Sequence, residues 1–254
     1  LALPSLDPVD AEPSAAWRGI LVHEILELWH RDDALVAHKL VPRAESFLEA
    51  ANVHPLIKAL WRPRLVAALE WIAQATHTLA ETGRTMIDAE RSGTFILDGV
   101  EIRGKADRID RMPDGRLVIV DYKTGKPPSA RQVEAGYALQ LGLLGMMAER
   151  GGFVADGGRA AITGKAGGFE YWSLTRSKTG DFGYRESPVG RRGSDLTADT
   201  MLPTSERYLR EALANWILGD APFEAKLVPD QATYTEYDQL MRLAEWYGRQ
   251  AGSR

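Results

Sequence analysis

The chain has 254 residues, 44% apolar and 26% charged, which is enough for one globular domain with a sizeable core. It has no cysteine, so disulfides, thiolate zinc sites and iron–sulfur clusters are excluded and a cytoplasmic setting fits; no apolar run is long enough to span a membrane, and no signal-peptide pattern is present. A net charge of -4 argues against a DNA-coating protein, which is basic as a rule.

The first residue is Leu rather than Met, so a fragment of a longer polypeptide is expected. Residues 1–13 are rich in Pro and Asp and read as a linker or surface arm; residues 14–254 read as a single domain. Ser14 is placed to cap a helix running to about His30, with Ile20, Leu21, Ile25, Leu28 and Trp29 as its apolar stripe. His23 and Glu27 are one turn apart on that helix and share a face. A lone histidine on an apolar helix is more often a hydrogen-bonded core residue than a ligand. His30, His38, His54 and His77 lack the same acidic and glycine context.

A second helix is expected over about 41–51. A third is expected over 55–81, with Pro63 marking a break or first turn and Trp61, Leu65, Leu69 and Ile72 on the buried face. The run 84–98 has extended character, and strands follow at 100–111 and 116–122. Gly93, Asp98-Gly99 and Asp114-Gly115 sit where turns are expected.

The stretch from Arg103 to Gly125 reads as a β-hairpin turned at Pro113-Asp114-Gly115. Asp107 lies on its first arm. The apolar run Leu117 to Val120 delivers Asp121-Tyr122-Lys123. Alternation along a strand puts Asp121 and Lys123 on one face and Tyr122 on the other. Two carboxylates and an ammonium at one sheet end suit a metal-dependent phosphodiesterase: anionic oxygens for a hard cation, and a positive charge near the attacked phosphate. Asp107 has a blander alternative, a salt bridge with Arg108 or Arg111. Asp110 competes as a ligand, but alternation puts it on the opposite face. Lys105 shares the face of Asp107 and is a candidate phosphate contact. A second acid-x-Lys pattern, Glu224-Ala225-Lys226, lacks a preceding strand and reads as surface.

Pro127-Pro128 ends this block. A helix is expected from about Ala130 to Arg150, a strand from Phe169 to Arg176, a long loop over 177–200, and helices at about 203–218 and 236–250. Between 158 and 192 seven bases face three acids, either a phosphate-binding surface or a solvated loop with scattered charge. The element order implies an α/β fold, a central mixed sheet flanked by helices.

In order along the chain stand GxxxHxxxE (Gly19, His23, Glu27), GxxD (Gly104, Asp107), DYKTG (Asp121 to Gly125) and a helix carrying Gln140. In these motifs the chain resembles the RecB-type nucleases of the PD-(D/E)xK superfamily. The likeness spans nearly the whole chain and is strongest to the C-terminal nuclease domain of AddB-type helicase–nuclease subunits, of the alphaproteobacterial kind. The resemblance implies a restriction-endonuclease-like core and Mg²⁺-dependent DNA hydrolysis, with Mn²⁺ able to substitute. It also implies single strands as substrate, double-strand break repair as setting, and an AddA-type subunit plus the rest of its own polypeptide as partners.

By resemblance, His23, Asp107, Asp121 and the backbone carbonyl of Tyr122 hold the metal. Lys123 holds or polarises the attacking water, and Gln140 orients Lys123 or touches DNA. Lys105, Arg176, Lys178, Arg191 and Arg192 are further candidate DNA contacts. The chain departs from the pattern at Leu144, where the helix motif QxxxY has Tyr, and in lacking the four cysteines many relatives use for a cluster. Packing by Trp216, Phe223, Tyr234, Tyr237 and Trp246 is expected to hold the C-terminal part instead. Two rival readings remain: a degenerate nuclease domain that binds DNA or scaffolds a partner, and a stand-alone exonuclease of the Cas4 type.

Overall fold

A computed structural model describes residues 15–51 and 54–222. Residues 12–219 form one compact unit. The expected arm, the Ser14 cap, the acid-x-Lys at 224–226, the helix at 236–250 and the packing by Phe223, Tyr234, Tyr237 and Trp246 lie outside the described residues.

The described residues open with three helices, α1 (Ala15–Arg31), α2 (Ala37–Ala50) and α3 (Pro55–Glu81). α2 starts four residues earlier than its sequence suggested, and α3 runs unbroken through Pro63. Five strands follow in one sheet: β1 (Thr85–Leu97), β2 (Val100–Arg111), β3 (Leu117–Lys123), β4 (Ala166–Arg176) and β5 (Phe182–Glu186), ordered as in the sequence. Neighbours are antiparallel except β3 and β4, which are parallel. That parallel pair needs a crossover, supplied by α4 (Ala130–Glu134) and α5 (Gln140–Glu149). α6 (Ala198–Ala212) is the last α-helix among the described residues and runs into a π-helical turn at Leu213–Ile217. The sheet is therefore mixed, with helices on both faces, as the element order implied.

The long helix expected over 130–150 is two helices. Gly136 breaks it: its φ is +84°, and a Cβ there would lie 2.6 Å from the ring of Tyr208. Only glycine takes that conformation at that approach without strain. The break lets α5 begin at Gln140. Gly93 is not a turn but a strand position, paired with Gly104, where a Cβ would collide with Phe153 and Met147. The expected loop over 177–200 contains β5, which pairs with β4 from Arg176↔Phe182 to Tyr171↔Glu186.

Alternation along β3 divides the core in two. Leu117 and Ile119 face α5, with Leu141, Leu144 and Phe169. Val118, Val120 and Tyr122 face the α1–α3 layer, with Ile25, Leu69 and Trp172. Leu144 is a buried core residue packed over Gly104, which explains an apolar side chain there.

Candidate active site

The β2–β3 ladder runs from Arg111↔Leu117 to Arg108↔Val120. Beyond it the N–H of Tyr122 donates to Asp107 Oδ2 at 2.9 Å. The Asp107 side chain thus takes over a ladder position and is fixed by backbone. Across β1 and β2 the register passes from Ala89↔Arg108 to Arg91↔Ala106, so Glu90 stands opposite Asp107. Glu90 has a φ of +48°, a conformation that costs a non-glycine residue roughly 1–2 kcal/mol. This kink turns the Glu90 carboxylate toward α1 and Lys105.

α1 brings in His23. Its Nδ1 lies 2.8 Å from Glu90 Oε1 and 3.4 Å from Asp107 Oδ1. One ligand atom from each of His23, Glu90 and Asp107 falls within 4.8 Å of the others. The ring also meets Tyr122 edge-on, with centroids 6.2 Å apart. Lys105 does not reach freely outward: its Nζ is 2.7 Å from Glu90 Oε2. Both Glu90 oxygens are therefore engaged.

From β3, Asp121 and Lys123 project to the face of α5. Lys123 Nζ is 2.7 Å from Asp121 Oδ2 and donates to Gln140 Oε1 at 3.2 Å. The ion pair with Lys123 is the contact that buried Asp121 Oδ2 makes among the described residues. Tyr122 turns the other way, its hydroxyl 3.4 Å from Arg108 Nη1.

The electrostatics are those of crowded buried acids. Asp107 and Asp121 are 7% and 1% exposed. Burial pushes Asp107 up to about 7; the charges of Asp121 and Glu90 add to this, while His23 and the Tyr122 N–H oppose it. Burial likewise raises Asp121, against the pull of Lys123 and His23. For His23, burial disfavours the cation, but the hydrogen bond to Glu90 and the charges of Asp107, Glu90 and Asp121 outweigh it, and the ring is raised above its ordinary value. Burial also works against ionised Glu90, yet His23 and Lys105 overcome it and hold that carboxyl below its usual range.

A hard divalent cation suits this donor set. The carboxylates of Asp107 and Asp121 are buried, the charge of Asp121 disfavours that of Asp107, and His23 and Glu90 each bring a ligand atom within 4.8 Å of one from Asp107.

Asp110, the rival acid in β2, is fully buried and belongs to a structural network. It takes Arg84 Nε at 2.7 Å and Arg108 Nε at 2.6 Å. Arg84 also forks onto Glu170 at 2.7 and 3.0 Å, and Arg108 stacks over Trp172. Asp107 makes no pair with Arg108 or Arg111 among the described residues. Glu27 stays outside the cluster, 3.6 Å from Arg31.

The basic stretch 158–192 is partly neutralised: Arg159 pairs with Asp88, Lys165 with Asp199 and Arg191 with Glu186. Lys178 and Arg192 are exposed. Arg176 lies at the end of β4 and lines a cleft with Arg18 and Arg64. Sequence reasoning missed Glu90. Set in Asp88-Ala-Glu90-Arg91, it has no local pattern to distinguish it from solvated charge, and only the backbone kink reveals its direction.

Comparison with known proteins points the same way as the geometry. The family described as the PD-(D/E)XK nuclease superfamily matches residues 1–231. An ATP-dependent helicase/deoxyribonuclease subunit of Streptococcus equi subsp. zooepidemicus is 32% identical over 136 residues, 51% of this chain and 12% of that protein. A subunit of the same name from Streptococcus agalactiae is 28% identical over 120 residues, 44% of this chain and 11% of that protein. An uncharacterized protein of Rickettsia conorii is 24% identical over 170 residues, 60% of this chain and 20% of that protein. The matched part thus spans only a fraction of each relative's length.

Proposed function

The chain belongs to the PD-(D/E)XK nuclease superfamily, and from that premise we propose that it hydrolyses DNA phosphodiester bonds with a bound Mg²⁺, for which Mn²⁺ can substitute. The observation that carries this reading is the grouping of His23, Glu90 and buried Asp107, ligand atoms within 4.8 Å of one another, beside buried Asp121, whose charge acts on Asp107 and whose Oδ2 is 2.7 Å from the Lys123 ammonium. Asp107, Asp121, His23 and the Tyr122 carbonyl would hold the ion. When bound, the cation supplies charge neutralisation at the phosphate and a more acidic attacking water.

The protein's own groups do the rest. Gln140 accepts a hydrogen bond from Lys123 and so aims its ammonium. Lys123 holds the attacking water and offsets the charge that builds on the phosphate oxygens as the new P–O bond forms and the leaving oxygen departs. The Tyr122 N–H fixes the Asp107 carboxylate, so little reorganisation remains for the reaction itself. Glu90 accepts a hydrogen bond from His23 Nδ1, since an ionised carboxylate can only accept. This holds the ring at the candidate site, where His23 would be one of the groups around the ion.

The helicase/deoxyribonuclease subunits it resembles support a further reading. In it the domain belongs to a longer polypeptide that works with an AddA-type subunit in the cytoplasm, degrading single strands delivered by helicase action during double-strand break repair. The test is degradation of labelled single-stranded DNA with Mg²⁺ or Mn²⁺, with the Lys123→Ala variant as control. Cleavage by the parent and not the variant is expected. A chain that binds Mn²⁺ yet leaves DNA intact would be a degenerate nuclease domain.

A further inference from the structure

A cleft of about 480 Å³ opens on the α1–α3 side of the sheet, lined in part by residues next in sequence to those of the candidate site. Arg18 enters it from α1, Trp61 and Arg64 from α3, Thr124 from the turn after β3, and Arg176 and Phe182 from β4 and β5. It shares chain with the chemistry at two points: lining residue Thr124 directly follows Lys123, and lining residue Val22 directly precedes His23.

Its charge is one-sided. Three arginines from three separate elements line it, and no acidic residue does. Among the described residues none of the three makes an ion pair, and Arg176 has only the ring of Phe182, 5.4 Å away. In a chain of net charge -4, three arginines that make no ion pair among the described residues give this cleft a local positive charge that suits an anion. Trp61 adds an aromatic surface, tilted at 53° against Trp17 with centroids 5.7 Å apart.

Backbone space points the same way. Gly19, next to Arg18, lies inside α1, where glycine costs roughly 1 kcal/mol relative to alanine. A Cβ there would meet only Thr124 Oγ1, at 3.9 Å, so no contact in the described chain demands a glycine. The room is left open at the cleft's edge, where a ligand backbone can come close.

We propose that this cleft carries the single DNA strand to or from the reacting phosphate, with Arg18, Arg64 and Arg176 on successive phosphates and Trp61 under a base. The proposal rests on the nuclease reading above and adds the strand's path. Stacking on an aromatic side chain requires an unstacked base, which a single strand offers and an intact duplex does not. The size of the cleft is that of a small-ligand pocket, room for about one or two nucleotides.

The test measures binding apart from cleavage. The full 254-residue chain, carrying Lys123→Ala and kept in EDTA, is titrated against a labelled oligothymidylate across a salt series, with a duplex as comparison. Adding Arg18→Gln, Arg64→Gln and Arg176→Gln together should weaken single-strand binding by at least about tenfold. It should also flatten the slope of log K against log salt by about 2, near 0.7 for each lost phosphate contact. Trp61→Leu, with circular dichroism checked against the parent, should lower single-strand affinity by about tenfold, as loss of one stacked base does. Unchanged affinity and slope in the triple variant overturn the proposal, as does a duplex bound as tightly as the single strand. A parent chain that fails to cut DNA defeats the nuclease reading alone and leaves this readout standing.

Discussion

His23 Nδ1 sits 2.8 Å from Glu90 Oε1, and that pairing sets what the ring can do. The same nitrogen lies 3.4 Å from Asp107 Oδ1, so Glu90 orients the ring against the candidate metal ligand. The strained backbone at Glu90, with φ at +48°, is what aims the carboxylate there. Glu90→Gln keeps the shape and removes the charge. It should weaken Mn²⁺ binding, measured by calorimetry on the intact chain, by about 10–100-fold. Unaltered Mn²⁺ affinity would show that the pairing does not support the ligand.

Lys123 is partly exposed and, among the described residues, its ammonium meets the apolar core only at the ring of Tyr171, 6.0 Å from the centroid, so Lys123→Ala should leave the fold and Mn²⁺ binding largely as they are. Loss of one charge-stabilising group should lower the cleavage rate by about 10²–10³. Gln140→Ala removes only the acceptor that aims Lys123 and should cost less. A parent-like rate for Lys123→Ala, in a preparation free of contaminating nuclease, would remove Lys123 from the chemistry.

Much of this site can be read along the chain, because a hairpin is a local structure. The turn at Pro113-Asp114-Gly115 and the alternation of β3 are enough to send Asp121 and Lys123 to one face and Tyr122 to the other. The sheet with helices on both faces follows from the order of the elements. The illegible features depend on contacts far apart in sequence. The helix over 130–150 looks continuous until Tyr208, distant in the chain, presses on Gly136. The kink at Glu90 and the gathering of Arg18, Arg64 and Arg176 are likewise products of tertiary packing, as is the pairing of Arg159 and Lys165 with Asp88 and Asp199, distant acids that a count of bases over 158–192 does not include.

Asp107 makes the metal-free chain pH-sensitive. Burial raises its folded-state value from 3.8 to about 7. The folded state therefore holds this proton more tightly than the unfolded state does. The stabilisation is fully present below about pH 4 and is lost as pH rises through about 7. Unfolding free energies of parent and Asp107→Asn, measured in EDTA between pH 5 and 8, should diverge, with the parent losing on the order of a few kcal/mol relative to the variant. Adding Mg²⁺ should restore the parent at the upper end, since metal binding takes the deprotonated carboxylate. Parallel pH curves for the two proteins would mean that Asp107 ionises as freely folded as unfolded.

Asp110, three residues further along β2, should respond to the same substitution with the opposite sign. It bridges two buried cations, Arg84 at 2.7 Å and Arg108 at 2.6 Å, and Arg108 in turn packs on Trp172 behind β3. Asp110→Asn leaves Arg108 in the core without its counter-charge, and breaking a buried pair in this way costs about 3–5 kcal/mol. At pH 8 without metal, Asp107→Asn removes a charge that burial and neighbouring acids disfavour, so it should stabilise the chain. Asp110→Asn removes a charge the core is built around, so it should destabilise it. Urea unfolding of both variants at that pH checks the pair of signs. Destabilisation by Asp107→Asn as large as that by Asp110→Asn would mean that Asp107, too, is held as a structural anion, and that its place opposite Glu90 serves the fold before it serves a cation.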